Sequence, residues 1–242
     1  MLSDELNINR ETVRKILIED LSMKKICAKM VPKNLSEEQK HVRMTVAQDC
    51  LEQLENDPKL LEHVVAGDES WFFQYDPETK RQSQQWLSPA SARPKKARMS
   101  KSKVKTMMIC FFDSNKLVHK EFLPPGQTVN QQFYIELLER SRKRIIRVRP
   151  EIANTWILHH DNAPCHRAFS VMQFLTSKNI TVLPQPPYSP DMSPYIQTSV
   201  TRVFQELPVN NFQKSYENWK KRWTQCVTAQ GEYFEGDHID VP

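Results

Sequence analysis

The sequence predicts an α/β fold in which helices flank a mixed sheet. Short apolar runs, typical of buried strands, begin near residue 62, and longer segments with apolar residues at helical spacing follow them. Several strands come first, and strands then alternate with helices, an order that favours an α/β domain. With 242 residues, 39% of them hydrophobic, the chain is long enough for one sizeable core and a small additional unit.

The composition restricts the class of protein. The start, MLSDELNINR, lacks the charged region and apolar core of a signal peptide, and there is no run of 18 apolar residues, so we expect a protein of the cytosol or nucleus without a membrane span. The five cysteines are odd in number and form no C-x-x-C pair, which predicts reduced thiols and no zinc knuckle. The net charge of +5 is only mildly basic, but the cations are clustered.

Residues 1–21 are interpreted as part of a helix-turn-helix DNA-binding unit. A turn at 7–9 precedes RETVRKILIEDL, whose apolar residues recur at helical spacing. Arg10, Arg14 and Lys15 lie on the other faces of this helix and are candidate DNA contacts. Such a unit needs another helix to bury its apolar residues, so we expect it to be truncated. A pair of amphipathic helices packed on the main domain is an equally good alternative.

A basic linker and a long helix are predicted for residues 22–57. The linker, 22–35, contains a proline. Ser36 followed by Gln39 fits a capping box, so a helix is expected from there to about residue 55. Its buried side should contain Val42, Val46, Cys50 and Leu54.

Residues 58–242 are predicted to form the main domain. Strands are expected at 62–67, 70–76, 104–113, 116–122, 155–160 and 180–184. Helices are expected at 129–146, 166–179, 196–207 and 210–230. The buried side of the first should contain Phe133, Leu137, Leu138 and Ile145, and the last has a mainly aromatic side of Phe212, Tyr216, Trp219, Trp223 and Val227. The segment 185–194 has four prolines in ten residues and must be an extended loop.

Asp68 and Asp161 are the candidate catalytic residues. Each closes a short apolar run, in VVAGDES and WILHHDNAPCH, so each carboxylate is expected at a strand end where side chains of a sheet converge. Carboxylates so placed can share divalent metal ions. A single aspartate at a strand end is more often a turn or capping residue, but the pair in these contexts favours a metal site.

Histidines and a cysteine surround Asp161. Their spacing fits no standard zinc pattern, and adjacent histidines on a strand point to opposite faces. We therefore expect one histidine to pack in the core and the other to line the metal site. The residues concerned are His159, His160, Cys165 and His166.

Clustered cations are candidate DNA contacts. The segment 93–105 carries seven Lys or Arg and no acid, and a loop that binds phosphates is favoured over one that is only solvated. A second basic stretch, RSRKRIIRVR at 140–149, is explained equally well by DNA contact and by the preference for cations at a helix C-terminus. Besides those of the first helix, the candidates are Lys24, Lys25, Arg93, Lys95, Lys96, Arg98, Lys101, Lys103 and Lys105.

Long motifs in order along the chain resemble those of mariner-family transposases. The N-terminal ELNINRETVRKIL is similar to the last part of the family's second helix-turn-helix, and MVPKNL is similar to the linker that follows it. The other motifs are GDESWFFQYDPETKRQSQQW, RPKKARMSKSKVKTMMICFFD, HHDNAPCHRA, YSPDMSP and WKKRWTQCVTAQGEYFEGD.

This resemblance implies a ribonuclease H-like (RNase H-like) domain with a mixed five-stranded sheet. It also implies a homodimeric nuclear transposase that binds inverted terminal repeats of DNA. The family cuts transposon ends with two Mg²⁺ or Mn²⁺ ions and joins the freed 3′ ends to a TA target.

The chain departs from the family pattern at the third catalytic aspartate. The first two correspond to Asp68 and Asp161, but the third falls at Ile196. We expect an internal deletion that leaves the catalytic domain incomplete after 194 and impairs cleavage. Asp191 is the nearest acid that could substitute as a metal ligand, and otherwise it is a turn residue. An active nuclease with a substitute acid, and a domesticated DNA-binding or dimerisation module without catalysis, remain alternatives.

Overall fold

The structure is a computed structural model in which two compact units, Met1–Asn34 and Leu35–Pro242, can be described separately. The predicted segment 22–57 is thereby divided, because its helix packs into the second unit. The residues that the structure describes are 7–23, 31–73, 100, 102, 104–124, 126–194 and 208–234.

The first unit contains a short helix, α1 (Arg10–Lys15), which continues as a π-helical turn over Ile16–Asp20. The side chain of Asn9 caps α1, since its oxygen accepts a hydrogen bond from the backbone N–H of Glu11 at 2.8 Å. No residue of α1 is buried. The helix expected before residue 7 lies outside the described residues, so the helix-turn-helix stays a prediction.

The second unit is built on a five-stranded sheet in the order β3-β2-β1-β4-β5. Strand β2 is antiparallel to both β1 and β3, whereas β1, β4 and β5 are parallel to one another. The predicted mixed five-stranded sheet is therefore confirmed. The strands are β1 (Val64–Phe73), β2 (Lys105–Phe112), β3 (Leu117–Phe122), β4 (Ile157–His159) and β5 (Thr181–Leu183).

Four helices cover the two faces of this sheet. One face packs against α2 and α5, and the other against α3 and α4. Short 3₁₀ turns at Leu60–Glu62, Pro150–Ile152 and Pro190–Met192 join the elements. The capping box predicted at the start of α2 is present. The helices are α2 (Glu37–Asn56), α3 (Gln131–Val148), α4 (Phe169–Ser177) and α5 (Val209–Thr228). No described helix has the length and apolarity that a membrane crossing requires.

Strand β1 corrects the prediction of separate strands at 62–67 and 70–76. It is one strand of ten residues, because β2 pairs with it without interruption from Ala66 to Phe73. Asp68 is paired with Cys110 within this ladder. The prediction that Asp68 lies at the end of its strand is therefore wrong, because β1 continues beyond it to Phe73.

A buried arginine joins three parts of the second unit. Helix α2 was expected to bury Val42, but Val42 is 43% exposed and Arg43 is fully buried instead. The Arg43 guanidinium donates to both carboxylate oxygens of Asp191, at 2.9 and 2.7 Å, and to the backbone carbonyl of Gly231 at 2.8 Å. A buried charge is tolerated when its donors are paired in this way. Arg43 thus fixes α2 to the Pro190–Met192 turn and to the chain that follows α5.

Helix α5 holds the sheet and the proline-rich loop together. The hydroxyl of Tyr216 donates to backbone carbonyls of β1 and β2, those of Val64 at 3.0 Å and Phe112 at 3.1 Å. The indole N–H of Trp219 donates to the carbonyl of Met192, and the guanidinium of Arg222 donates to the neighbouring carbonyl of Ser193. The aromatic side that the sequence predicts for this helix is buried as expected.

We expect Arg43→Ala to lower the free energy of unfolding by about 3–5 kcal/mol, the usual cost of breaking a buried ion pair. The substitution leaves Asp191 and the Gly231 carbonyl without their donors. Urea denaturation measures the change. Arg142→Ala is the control, because its pair with Glu139 is partly exposed and should contribute at most about 1 kcal/mol. Equal losses in the two variants would contradict the role given to Arg43.

Two glycines with similar backbone conformations should differ in their tolerance of alanine. Gly126 and Gly231 have φ of +81° and +80°, where an added Cβ costs about 1–2 kcal/mol. A Cβ at Gly126 meets no atom within 4 Å, but at Gly231 it would lie 2.1 Å from the backbone oxygen of Lys40. Thermal denaturation should therefore show a larger loss of stability for Gly231→Ala than for Gly126→Ala. Similar losses would show that the helix adjusts to the new methyl group.

Candidate functional site

The parallel pairing of β1 with β4 brings the two candidate aspartates to the same level of the sheet. The paired residues are Val64 with Ile157, Val65 with Leu158, and Ala66 with His159. The register offset is 159 − 66 = 93, and the two aspartates have the same separation, 161 − 68 = 93. Both therefore follow the last paired residues by two positions, which places them side by side where β4 ends.

An open cavity of about 790 Å³ contains both aspartates. One wall is formed by the middle of β1 and the end of β4, including His159, and the opposite wall is the proline-rich loop 185–194. Arg167 adds a cation to the lining. The loop is held by hydrogen bonds from the side-chain amide of Asn162 to the carbonyl of Gln185, and from the Gln185 amide to the carbonyl of Ser189. Both expected strands thus deliver their carboxylates to one cavity.

His166 connects Asp161 to a third acid, Glu69. The Nδ1 atom of His166 lies 2.8 Å from an Asp161 oxygen, and its Nε2 atom lies 3.1 Å from a Glu69 oxygen. The same Asp161 oxygen accepts a hydrogen bond from the backbone N–H of Ala163 at 3.0 Å. The ligand atoms of Glu69, Asp161 and His166 all lie within 4.8 Å of one another. These contacts fix the orientation of Asp161 at the cavity.

The rings of Tyr134 and His160 pack against the imidazole of His166. Its imidazole lies parallel to that of His160, with centroids 5.0 Å apart, and against the ring of Tyr134 at 4.0 Å. The Tyr134 hydroxyl and the His160 Nδ1 atom are hydrogen-bonded at 2.7 Å. His159 points to the other face, where its ring packs against Trp219. The two adjacent histidines thus point in opposite directions, as the strand period predicts.

Burial and nearby charges shift the pKa values of the two aspartates and three histidines of the site in different directions. Although Asp68 reaches solvent, the cavity walls partly desolvate its carboxylate and, with the charge of Glu69, raise its pKa to about 6. The hydrogen bond from His166 lowers the pKa of Asp161. Burial alone would lower the pKa of His166, but its bonds to Asp161 and Glu69 outweigh this and raise it to about 10. Desolvation lowers the pKa of His159 to about 4 and that of His160 to about 3.

Asp191 lies outside the cavity lining. Its neighbours Ser189, Pro190 and Ser193 line the cavity, but the Asp191 carboxylate points to Arg43 and uses both oxygens there. To bind a metal ion it would have to leave a fully buried guanidinium without its partner. This position gives Asp191 a structural role in place of the metal-ligand role considered from the sequence.

Few of the predicted DNA-binding residues lie in the described part of the chain. Arg10, Arg14 and Lys15 are exposed on α1, and Arg14 makes a solvent-exposed pair with Glu11 at 3.7 Å. Lys105 begins β2, with its Nζ atom 4.0 Å from the centre of the Trp71 ring. The remaining candidates fall outside the described residues: Lys24, Lys25, Arg93, Lys95, Lys96, Arg98, Lys101 and Lys103.

Sequence reasoning did not identify Glu69 and Tyr134 as parts of the site. Glu69 follows Asp68 directly, and its side chain points away from that of Asp68 in a strand, so a lone acid there carries no signal. Tyr134 occupies the buried side of α3, where Phe133 was expected. The described cysteines, Cys50, Cys110, Cys165 and Cys226, are free thiols, in line with the expected reduced state.

Comparisons with known proteins find a transposase family model and two similar proteins. Residues 76–155 match the model of "Transposase (partial DDE domain)". The chain is 30% identical over 258 residues to the human histone-lysine N-methyltransferase SETMAR, covering 97% of this chain but 37% of that protein. It is 28% identical over 260 residues to the Mariner Mos1 transposase of Drosophila mauritiana, covering 97% of this chain and 74% of that protein.

Solved structures show the same relationship. The Mos1 mariner paired end complex with Mn matches with a TM-score of 0.79 at 27% identity, covering 97% of this chain and 74% of that one. The corresponding complex with Mg matches with the same TM-score and coverage. The catalytic domain of Mos1 mariner transposase matches with a TM-score of 0.66 at 26% identity and covers 85% of this chain.

His166 should titrate at a much higher pH than the other two buried histidines, His159 and His160. In spectra of histidine-labelled protein, we expect His166 to stay protonated until about pH 10, and His160 to stay neutral until about pH 3. Since an unfolded histidine titrates near 6.5, His166 stabilises the fold fully below that pH and loses this contribution as the pH rises towards 10. Glu69→Gln should lower the pKa of His166. A His166 pKa near 6.5 in the parent protein would contradict the bridging role.

The fold, the paired aspartates and the comparisons lead to one conclusion. The sheet is mixed and five-stranded, as expected for an RNase H-like domain, and the structure matches the Mos1 catalytic domain. Asp68 and Asp161, carried by the motifs that resemble the family, share one cavity. Over 97% of its length, the chain is similar in sequence and in fold to the mariner transposase Mos1.

Proposed function

We propose that the chain is a mariner-family protein that binds transposon-end DNA and that its metal-dependent strand cleavage and transfer are impaired. One observation carries the proposal. Asp68 and Asp161 meet in the cavity, but the nearest acid of the proline-rich loop, Asp191, is bound to Arg43 outside the cavity lining. The position that the family pattern assigns to a third aspartate is Ile196, whose side chain has no metal-binding atom.

The residues present fit a divalent cation only in part. Asp68 and Asp161 supply carboxylate oxygens, the donors that Mg²⁺ and Mn²⁺ prefer. The charge of Asp161 contributes to the raised pKa of Asp68, a repulsion that a bound cation would relieve. Glu69 is the only further carboxylate among the described residues near them, but it already binds His166. Two such carboxylates suffice to hold one ion and leave a second ion without a full set of ligands.

The remaining groups of the site would orient the reactants. When bound, divalent ions activate the attacking water or 3′-hydroxyl and stabilise the leaving oxygen. His166 would hold one Asp161 oxygen in place and leave the other directed to the cavity. Arg167, in the same lining, would attract a DNA phosphate. Loss of the third carboxylate would weaken metal binding more than DNA binding.

The partners follow from the relatives. Several solved Mos1 structures are paired end complexes, one of them with the left transposon end. We therefore propose that this chain binds inverted terminal repeats, acts as a homodimer and works in the nucleus. The exposed cations Arg10, Arg14 and Lys15 are the described candidates for DNA contact in the first unit. Sedimentation of the pure chain at micromolar concentration tests the dimer, which a single monomer species would exclude.

Cleavage should be absent or close to background. We expect supercoiled plasmid to be nicked by the parent chain in Mn²⁺ no faster than by Asp68→Ala, because a complete set of metal ligands is lacking. Asp191→Asn and Glu69→Gln are included to detect a substitute ligand. Robust nicking that Asp68→Ala abolishes would overturn the proposed impairment, and its loss in one of the other variants would identify the third acid.

DNA binding should survive without cleavage. We expect a duplex with the inverted terminal repeat of the encoding element to bind more tightly than a scrambled duplex in fluorescence anisotropy, with an affinity that falls as salt rises. Arg10→Ala/Arg14→Ala should weaken binding to both duplexes. The control is Lys220→Ala/Lys221→Ala, which also removes two charges from exposed positions. No binding of either duplex at about 50 mM salt would contradict the proposal, because phosphate contacts are strong at low salt.

A further inference from the structure

A basic groove follows the free edge of β3, apart from the cavity of Asp68 and Asp161. Its volume is about 790 Å³. One wall is formed by β3 and the residue before it, the other by α3, and Phe212 of α5 contributes apolar surface. None of the described residues that line it is acidic. The cations in the lining, named here the edge groove cations, are Lys116, Lys120, Arg140, Lys143, Arg144 and Arg147.

Helix α3 presents four of these cations as one row. Arg140, Lys143, Arg144 and Arg147 follow each other at steps of three, one and three residues, which is the spacing of a single helix face. All four are exposed. At 1.5 Å per residue the row is about 10 Å long.

Most of the edge groove cations lack a strong acidic partner. Arg140 is bound by Glu121 at 2.7 and 2.9 Å, and Lys143 lies 3.7 Å from Glu139. The Nε atom of Arg144 donates only to a backbone carbonyl, at 3.4 Å. Within the described ranges, no carboxylate forms an ion pair with the other three, which are Lys116, Lys120 and Arg147. The groove therefore has a surplus of positive charge.

Two ordinary reasons for surface cations explain only part of this arrangement. Lysines on an edge strand discourage pairing with other strands, which would account for Lys116 and Lys120. Cations near a helix C-terminus interact with the helix dipole, which would account for Arg147. Neither reason requires both sets to face one concave surface without an acid. Such a surface concentrates positive potential and attracts a polyanion.

We propose that the edge groove binds the phosphate backbone of double-stranded DNA as a contact additional to the catalytic cavity. This inference rests on the proposed function, which makes DNA the polyanion that the chain meets. A row of about 10 Å covers about three phosphates of one strand, since the charges of a strand are spaced by about 3.4 Å along the duplex. The contact is independent of sequence, because backbone phosphates carry no base identity.

The position of the groove in the sheet suits a duplex that also reaches the cavity. Lys120 is paired with Cys110, which is paired with Asp68 on the next strand. Two strand spacings, about 10 Å, therefore separate the backbones of Lys120 and Asp68. This separation is smaller than the length of one turn of duplex, about 34 Å. A single duplex is long enough to contact both places.

The test measures how salt affects binding of a random-sequence duplex in EDTA, with no inverted repeat and no metal. The variant Lys116→Ala/Lys120→Ala/Arg147→Ala removes the three cations without acidic partners. We expect the slope of log affinity against log salt to become shallower by about 2 to 3, since each phosphate contact contributes about 0.9. Conversely, Glu121→Gln removes the nearer of the two carboxylates paired with Arg140, leaving the 3.9 Å pair with Glu136, and should make the slope steeper by up to about 1.

The control Lys59→Ala/Lys220→Ala/Lys221→Ala removes the same charge from exposed positions outside the groove and should leave the slope nearly unchanged. An equal effect of both triple variants would overturn the proposal, since net charge alone would then explain binding. An unchanged slope in the groove variant and in Glu121→Gln would also overturn it. Stronger competition by polyglutamate than by DNA of equal charge would assign the groove to an acidic protein. Thermal denaturation verifies folding.

The two proposals can fail separately. Loss of discrimination between repeat and scrambled duplexes would count against the proposed transposon-end binding, but it would leave the salt slope of the groove variant unaffected. A groove variant with a normal slope would leave repeat binding and the metal site untouched.

Discussion

The parallel pairing between β1 and β4 is the constraint on which the site depends. Three residue pairs fix the offset of the two strands, and this offset equals the separation of Asp68 and Asp161. A shift by one residue would turn one carboxylate to the opposite face of the sheet. Because β1 is also paired with β2 from Ala66 to Phe73, Asp68 is held by a continuous ladder, whereas Asp161 lies beyond the end of its strand. The two acids are therefore fixed by different means.

Because the two aspartates are held by different contacts, their pKa values shift in opposite directions. Asp161, outside the ladder, is oriented by His166, which also contacts Glu69 and lowers the pKa of Asp161. Asp68 has no such cation bonded to it, and its pKa is raised by partial burial and by Glu69. The site therefore combines one readily ionised carboxylate with one that ionises near pH 6. A divalent ion would favour the ionised form of both, which is why the histidine and a metal act in the same direction on the site.

The proline-rich loop is held in place by a buried charge, the guanidinium of Arg43. Arg43 needs Asp191 as its partner, and together with Trp219 and Arg222 of α5 it keeps the loop over the cavity. The same bond withdraws Asp191 from the lining. In this chain the Asp191 carboxylate therefore stabilises the cavity wall and does not serve as a third carboxylate of the cavity. The edge groove lies elsewhere on the sheet, so phosphate binding there does not depend on the role of Asp191.

The sequence by itself determined the alternation of strands and helices, the capping box of α2, the aromatic face of α5 and the two aspartates, because these depend on local spacing and on motifs. Only the tertiary structure decided that β1 is continuous through Asp68, since a ladder with β2 overrides the polar residues at its centre. It also decided that Arg43 replaces Val42 in the interior and that Glu69 meets His166. These contacts join residues distant in the chain, and only packing determines whether a charge finds its partner.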